Sequence, residues 1–461
     1  MRNEIFKDDT LIITDSANKD YLIKYISGLD YLLNIRIMTT KELIDNYYFK
    51  YDNEAIYYLM HKYGYKYDIA KMYITNMYYV TDQSKNKKIN KVYEYKQELL
   101  DNNLLDINIQ FKDYLKGKTI IVYNMIIIPK IITNILGNYD YQVINNSSFN
   151  YTHTIYEYET LDDEVVGLAS KVCELIKSGT DINHIYLTNL NDEYRLIIER
   201  IFSIFHIPVY LNTKYSIYNT NTVTKFLSYY EEDINRTIVM LKDNIKDDEI
   251  DIFNKIVNIC NKYMWCDNFL NIREMIINDL KNTRVNNDIM TDCVKEGDLY
   301  ATYTDEDYVF LVGFNQGIIP VIHKDEDYFN DKEKEELGFE TSSMLNSNEV
   351  AKTINCLTNI KNLYISYKLN SLTDTFTISN IIEELDYEVL TVPPTYTHSN
   401  LYNKLELGKS LDLFNKYGTV SDNLNLLNTN YNETSYKTYS NIFTGIDALA
   451  LDKDRKSTRL N

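Results

Sequence analysis

The chain is short of the residues that mark several protein classes. Among 461 residues there are only 13 glycines, 5 prolines, 5 cysteines and one tryptophan. The cysteines are widely spaced and odd in number, which favours reduced thiols over a disulfide framework or a zinc site. No apolar run approaches the roughly 18 residues of a membrane span. The N-terminal MRNEIFKDDT is too polar for a signal peptide. We therefore expect a soluble, cytoplasmic protein.

Positive charge is scarce as well. The chain has 48 lysines and arginines against 67 aspartates and glutamates, a net charge of −19. Proteins that bind DNA strongly by themselves need a basic surface, because neutralising phosphates supplies most of the affinity. The acidic balance therefore argues against strong DNA binding by this chain alone. A basic channel on one face, or DNA held mostly by a partner, stays compatible with it.

Motifs for metal binding and nucleophilic catalysis are missing. The six histidines are isolated and none pairs with Cys, Asp or Glu at metal-ligand spacing. The sequence has no G-x-S-x-G elbow, no Rossmann glycine fingerprint and no Cys-x-x-Cys pair. We therefore expect no metal or organic cofactor in this chain.

What the chain does contain is a succession of short apolar strands separated by helical periodicity. Strands alternating with helices are typical of an α/β fold with mainly parallel sheets. The segment 222–285 is helical by periodicity throughout, and the sequence after Pro393 is polar and aperiodic. We predict strands at Thr10–Thr14, Ile35–Met38, Lys118–Tyr123, Ile155–Tyr158, Ile185–Leu187, Tyr308–Val312 and Leu363–Tyr367.

These patterns predict the following domains. Residues 1–150 form a first α/β domain and residues 151–221 begin a second. Residues 222–299 are a helical insert, 300–395 complete the second domain, and 396–461 form a linker.

One stretch carries a family resemblance. Residues 308–320 read YVFLVGFNQGIIP, and after an acidic helix the chain continues as LTNIKNLYISYKL. This pattern resembles the second RecA-like domain of UvrD-type helicases, and more narrowly the AddB (RexB) subunits of ATP-dependent helicase–nucleases that process DNA breaks. The start of that domain is similar to DDEVVGLASKVCELIKSGTDINHIYLTNLNDEYRLIIERIFSIFHIPVYL. The resemblance covers about residues 10–400 and implies two RecA-like domains with helical inserts.

A helicase motor of this kind needs a phosphate loop of the form G-x-x-x-x-G-K-[ST] after its first strand. The corresponding stretch, from Thr14 to Lys19, contains no glycine. Ser16 and Asn18 stand within it, and only the lysine, Lys19, remains. Without glycine the backbone is not expected to form the amide nest that binds phosphates.

Three further motor positions are altered. The resemblance places an Asp-Glu pair after the strand at 119–123, where this chain has Asn124-Met125. An arginine finger is expected where the chain has Asn359, and an amide cannot supply its charge. The lysine-glycine motif before the strand at 308 is also replaced, by Tyr303–Glu306. The resemblance therefore implies a motor without ATPase activity.

A DNA contact is predicted after the second strand. Superfamily-1 helicases contact the DNA backbone where this chain has Thr39, Thr40 and Lys41. The threonine hydroxyls would bond phosphate oxygens there. A helix N-cap at Thr40 explains the same residues equally well, and the sequence leaves both interpretations open.

AddB subunits also carry a nuclease domain with a PD-(D/E)xK site for Mg²⁺ and a four-cysteine 4Fe–4S cluster. Neither pattern is found here: Asp452-Lys453-Asp454 lacks a preceding acid, and no cysteine follows Cys356. Residues Tyr439–Ile446 resemble the segment that leads into the nuclease. We therefore expect the chain to stop before that domain, and we interpret the abruptly basic residues 454–461 as an artefactual end.

Together these observations predict an inactive helicase-like scaffold of a DNA break-repair exonuclease. It would guide DNA to a nuclease domain absent from this chain, and an AddA-type helicase–nuclease subunit would supply the ATPase. Two alternatives remain: an active ATPase or helicase with a divergent nucleotide site, and an interaction scaffold with no nucleic-acid role.

Overall fold

A computed structural model describes residues 7–29, 33–146, 148–212, 216–285, 290–371, 374–393 and 397–421, with Leu424 and Leu427. The chain divides into two compact units. Unit 1 comprises residues 1–147, 213–289 and 323–352, and unit 2 comprises residues 148–212, 290–322 and 353–461. The predictions for Tyr439–Ile446, Asp452–Asp454 and residues 454–461 lie outside the described residues.

The elements follow one another in this order. The first part of the chain contains β1 Thr10–Thr14, α1 Ser16–Ser27, β2 Ile35–Thr39, α2 Thr40–Tyr47, β3 Lys50–Tyr51, α3 Asn53–Tyr63, α4 Tyr67–Asn76, α5 Lys87–Asp101, β4 Leu105–Asp106, α6 Ile109–Lys116, β5 Thr119–Tyr123, α7 Lys130–Leu136 and β6 Tyr141–Ile144. The middle contains β7 Thr154–Thr160, α8 Leu161–Lys177, β8 Ile185–Thr188, α9 Asp192–Phe205, β9 Val209–Tyr210, α10 Asn221–Tyr229, α11 Ile234–Lys242, α12 Ile250–Asn261 and α13 Arg273–Asn282. The last part contains β10 Val294–Glu296, β11 Tyr308–Leu311, α14 Asp331–Glu336, α15 Ser342–Asn359, β12 Asn362–Asn370, β13 Glu388–Thr391 and α16 Asn400–Tyr417. No helix in the described ranges has the length and apolarity needed to cross a bilayer.

Unit 1 contains a four-stranded sheet in the order β2-β1-β5-β6, in which every pair of neighbours is parallel. All residues of the central strand β1 are buried. Leu11 and Ile13 face one apolar core, and Ile12 faces another that includes Leu22 and Ile121. A parallel strand covered on both faces needs such a continuous apolar run, which is why the sequence identified this strand.

Most of the rest of unit 1 is helical, apart from the short antiparallel pair of strands β3 and β4. Helices α3 to α5 and α10 to α13 share one apolar core, to which Leu59, Ile74, Phe226 and Ile276 belong. The helices expected between 222 and 285 are therefore present. They pack within unit 1, although the sequence places them between two segments of the second α/β domain. Residues 323–352, predicted to belong to the second domain, are likewise part of unit 1.

Unit 2 contains a seven-stranded sheet in the order β13-β7-β12-β11-β8-β10-β9, also with only parallel neighbours. Its core includes apolar residues at helical spacing on α8 and α9, among them Val165, Leu168, Ile198 and Phe202. Helix α9 ends at His206, whose left-handed φ of 56° breaks the helix just before Pro208. The prediction of an α/β fold with mainly parallel sheets is confirmed.

Two boundaries predicted from the sequence need correction. The sequence predicts a helical insert over 222–299, but the last part of this stretch contains β10, a strand of the seven-stranded sheet. The sequence predicts a linker over 396–461, but Asn400–Tyr417 form helix α16. Its inward residues are Asn403, Leu407 and Ser410. These positions have helical spacing, but two of them are polar, so no apolar stripe revealed the helix.

Candidate functional site

The carboxyl end of β1 is the position where a helicase would bind nucleotide phosphates. Strand β1 ends at Thr14, Asp15 is the N-cap, and α1 begins at Ser16. The hydroxyl of Thr14 donates to the carbonyl of Tyr123 at 3.0 Å, which fastens β1 to β5. A single residue thus joins strand and helix, so no loop is present that could surround a phosphate group.

The backbone of this turn has none of the geometry of a phosphate nest. A nest alternates right- and left-handed residues so that successive N–H groups converge. Asp15 is extended, with φ −71° and ψ 154°. None of the residues from Thr14 to Lys19, all of which are described, has a positive φ. Asn18 is buried and donates its N–H to the carbonyl of Asp15 at 3.1 Å, whereas Ser16 is exposed.

The ammonium of Lys19 is already bound within unit 1. Its Nζ lies 2.9 Å from Oε1 and 3.3 Å from Oε2 of Glu42. Glu42 in turn accepts the backbone N–H of Thr39 at 2.7 Å, while Thr39 Oγ1 accepts the N–H of Glu42 at 3.2 Å. This reciprocal pair is a capping box at the start of α2. The one surviving phosphate-loop residue is therefore neutralised by a carboxylate that helix capping holds in place.

The same contacts make the stability of α2 depend on pH. The N–H of Thr39, aided by Lys19, holds the pKa of Glu42 below its ordinary value of 4.5. A folded-state pKa below the unfolded one means that the carboxylate contributes stability above pH 4.5. That contribution is lost as the pH falls through the folded pKa.

We expect Glu42→Gln to lower the free energy of unfolding at pH 7 by about 0.5–1 kcal/mol, because solvent screens the half-exposed carboxylate. The difference from wild type should shrink as the pH falls below 4.5, as urea unfolding at pH 7 and at acidic pH would measure. Glu54→Gln, in the first turn of α3 and outside a capping box, is the control. An equal difference at both pH values would contradict this assignment.

The predicted DNA-contact residues lie at the start of α2. The N-cap is Thr39 and not Thr40, because Thr39 retains extended backbone angles (φ −76°, ψ 161°) and caps Glu42. Thr40 is the first helical residue and is half-buried, and Lys41 is exposed. The capping bond uses Thr39 Oγ1 as an acceptor, and the same hydroxyl also hydrogen-bonds the carboxylate of Glu42. The phosphate contact stays a prediction.

Two of the three remaining motor positions, Asn124 and Asn359, have local structural roles. Asn124 adopts a left-handed φ of 49°, and its N–H donates to the carbonyl of Ile144 at 2.8 Å. In unit 2, Asn359 donates to the carbonyl of Asn355 at 2.8 Å and accepts the backbone N–H of Phe149. Asparagine tolerates the left-handed region and bonds nearby backbone groups readily. Neither residue brings charge to a metal ion or a phosphate.

Unit 2 holds a buried carboxylate that the sequence did not single out. Glu164, on α8, is fully buried. One of its oxygens accepts the hydroxyl of Tyr194, and the other accepts the N–H of Gly313 at 2.9 Å and the hydroxyl of Ser366 at 2.7 Å. Its donors come from α9, from the turn after β11 and from β12. Glu164 therefore joins three separate segments at the carboxyl ends of the central strands.

A buried lysine lies beside this carboxylate. The side chain of Lys368 is 1% exposed, and its Nζ lies 3.2 Å from Glu193 and 4.6 Å from the centre of the Tyr194 ring. Burial raises the pKa of Glu164, whereas its three hydrogen bonds and Lys368 act in the opposite direction. Every Glu164 oxygen has a donor, so the network is complete and acts as a brace rather than as a group poised for catalysis.

The only sequence signal for this network was the position of Glu164 on the inward face of α8. It lies one helical turn from Leu161 and Leu168, both buried. No group of three or more His, Cys, Asp or Glu side chains in the described part of the chain is arranged to hold a metal ion. Comparison with known proteins adds no identification, since no protein-family model and no curated protein matches the chain.

Proposed function

We propose that the chain is a helicase-like scaffold without its own ATPase, of the AddB type, in a complex that processes DNA breaks. In this proposal both parallel sheets belong to RecA-like domains. The DNA is guided to a nuclease domain, and an AddA-type subunit supplies the motor. The observation that carries the proposal is the turn after β1, where Glu42 binds Lys19 and the backbone forms no nest.

Electrostatics at this turn support the absence of nucleotide binding. A P-loop presents several converging N–H groups and a free lysine to the phosphates. Here a triphosphate would have to displace Glu42 from both Lys19 and the N–H of Thr39. Asp15 adds a second carboxylate at the N-terminus of α1. A ligand with several negative charges is repelled by this arrangement.

The fold supports the same proposal at a coarser level. Open parallel sheets bind ligands outside the carboxyl ends of their strands. Each unit has such a sheet, and in each unit some residues at the ends of the central strands bond to one another, as Thr14 does to Tyr123 and Glu164 does to Gly313. This is the pattern expected when a nucleotide-dependent fold persists as a scaffold after losing its chemistry.

ATP turnover tests the proposal. The purified chain with Mg²⁺, ATP and single-stranded DNA should show no hydrolysis above the background, and Lys19→Ala should leave that result unchanged. Lys24→Ala, an exposed lysine on the same helix, is the matched control. A divergent ATPase would instead hydrolyse ATP and lose that activity in Lys19→Ala but not in Lys24→Ala. That outcome would reject the scaffold in favour of an active motor.

The net charge of −19 favours a second candidate, an interaction scaffold with no nucleic-acid role. The two are distinguished by binding of single-stranded DNA in the presence of an AddA-type subunit at physiological salt. A repair scaffold should co-purify with that subunit and increase the DNA affinity of the complex, with a marked dependence on salt. A chain that remains alone and leaves DNA binding unchanged would favour the second candidate.

A further inference from the structure

A cavity of about 420 Å³ opens within unit 2 at the carboxyl ends of β8 and β10. Its lining includes Asn189 and Gly297, the residues that directly follow β8 and β10. Leu299 and Val321 contribute apolar wall, and Tyr300 contributes an aromatic one. This is the edge of an open parallel sheet where ligands bind.

The polar side chains that line this cavity are two carboxylates, Glu296 and Asp298, two amides, Asn189 and Asn212, and the tyrosine Tyr300. Glu296 is not available, because it accepts Arg195 Nη2 at 2.6 Å and the N–H of Asn212 at 2.7 Å. Asn189 uses its Nδ2 to donate to the carbonyl of Val312 at 2.7 Å. Its amide oxygen therefore remains as an acceptor. The cavity does not match an anion, because two carboxylates and no lysine, arginine or histidine are among its lining residues.

Asp298 is the charged group of this cavity. One of its oxygens accepts the N–H of Tyr300 at 2.9 Å. No lysine, arginine or histidine of the described segments forms an ion pair with it. By contrast, the neighbouring Glu296 already holds the guanidinium of Arg195. A second cation beside Asp298 would balance a charge that the fold leaves uncompensated.

The walls define the kind of cation. A guanidinium is weakly hydrated, pairs with carboxylates through a planar fork and stacks on aromatic rings. Asp298 and Tyr300 are adjacent in this cavity and supply both kinds of contact. The apolar walls at Leu299 and Val321 suit the methylene groups of an arginine side chain. A hydrated ammonium ion would gain little from these walls.

Exposed apolar side chains at the cavity favour an arginine that belongs to a polypeptide. Val321 is 52% exposed and the next residue, Ile322, is 51% exposed. An isolated small cation would leave this apolar pair in water, whereas residues flanking an arginine would cover it. We propose that this cavity binds an arginine side chain of a basic partner polypeptide, with the guanidinium between Asp298 and Tyr300. The net charge of −19 is complementary to such a partner.

Titration of the full chain with acetyl-Leu-Arg-Leu-amide, followed by calorimetry, tests this proposal. Replacing arginine by citrulline, which is neutral and nearly isosteric, should weaken binding about tenfold, because the charge-assisted bonds to Asp298 are lost. Asp298→Asn should weaken binding of the arginine peptide by a similar factor. Val321→Ser should weaken binding of both peptides. Asp386→Asn, an exposed aspartate of the same unit, should leave affinity unchanged.

Three outcomes would overturn the proposal: no binding of the arginine peptide at millimolar concentration, equal binding of the citrulline peptide, or an unchanged affinity in Asp298→Asn. If free arginine amide binds as tightly as the peptide, the site takes a small cation and the polypeptide partner is rejected. Thermal unfolding of each variant confirms that the fold is intact. These measurements involve neither ATP nor DNA, so their failure would leave the proposed repair function unaffected.

Discussion

Glu164→Ala is expected to lower the free energy of unfolding of unit 2 by about 3–5 kcal/mol, because it would leave three buried hydrogen-bond donors without an acceptor. The truncation would leave the hydroxyls of Tyr194 and Ser366 and the N–H of Gly313 without their acceptor. It would also remove the electrostatic interaction between Glu164 and the buried side chain of Lys368. Several unsatisfied groups would therefore result from one substitution.

Urea unfolding monitored by hydrogen exchange of unit 2 would measure this loss. Glu383→Ala, which removes an exposed glutamate of the same unit, should change the free energy of unfolding by less than about 0.5 kcal/mol. Glu164→Gln should lower the free energy of unfolding by an amount between these two. Its amide keeps one oxygen that can accept a hydrogen bond, but its NH₂ group cannot accept one from the donor that it faces. If Glu164→Ala behaved like Glu383→Ala, the network would not be the brace described above.

Gly313→Ala is the second substitution with a large expected effect, about 2–4 kcal/mol. Gly313 has a φ of 64°, and a Cβ built on it lies 3.0 Å from the hydroxyl oxygen of Tyr194. Its N–H also donates to Glu164. The methyl group would thus combine left-handed backbone strain with displacement of a tyrosine that bonds the buried carboxylate.

Gly317→Ala separates these two contributions. Gly317 belongs to the same turn region and has a φ of 80°, but a Cβ there meets no atom within 4 Å. Its substitution should cost only the backbone strain, about 1–2 kcal/mol. The two variants can be compared by thermal unfolding. Equal destabilisation would show that the close approach of Gly313 to Tyr194 contributes nothing.

The central strands could be predicted from the sequence because both of their faces are covered. Strands β1, β5 and β11 are buried nearly throughout, so each shows as a continuous apolar run. The missed strands are short and lie towards the sheet margins. No residue of β9 or β13 is buried, and only Val294 is buried in β10. The positions of these strands in the sheet are set by backbone hydrogen bonds, which require no apolar pattern in the side chains.

At the candidate site, only the absence of phosphate-loop residues could be predicted from the sequence. The missing glycines between Thr14 and Lys19 are visible in the sequence. The binding of Lys19 by Glu42 depends on β1 and β2 being neighbours, which the sequence does not specify. Glu164 and Ser366 are farther apart along the chain than Lys19 and Glu42 are. Their hydrogen bond exists only once the seven-stranded sheet has formed. Contacts of this kind depend on topology and have no local signature.

The order of strands in unit 2 has a consequence for how the protein is made. Strand β7 leaves the ribosome early, but its two neighbours, β12 and β13, are translated only after the whole of α10 to α15. The backbone groups of Ile155 on this side therefore stay unpaired until Ile365 has been synthesised. Folding dominated by such distant contacts is slow, and unpaired strand edges favour aggregation in the meantime. The nascent chain should therefore be a client of chaperones that shield apolar segments until synthesis is nearly complete.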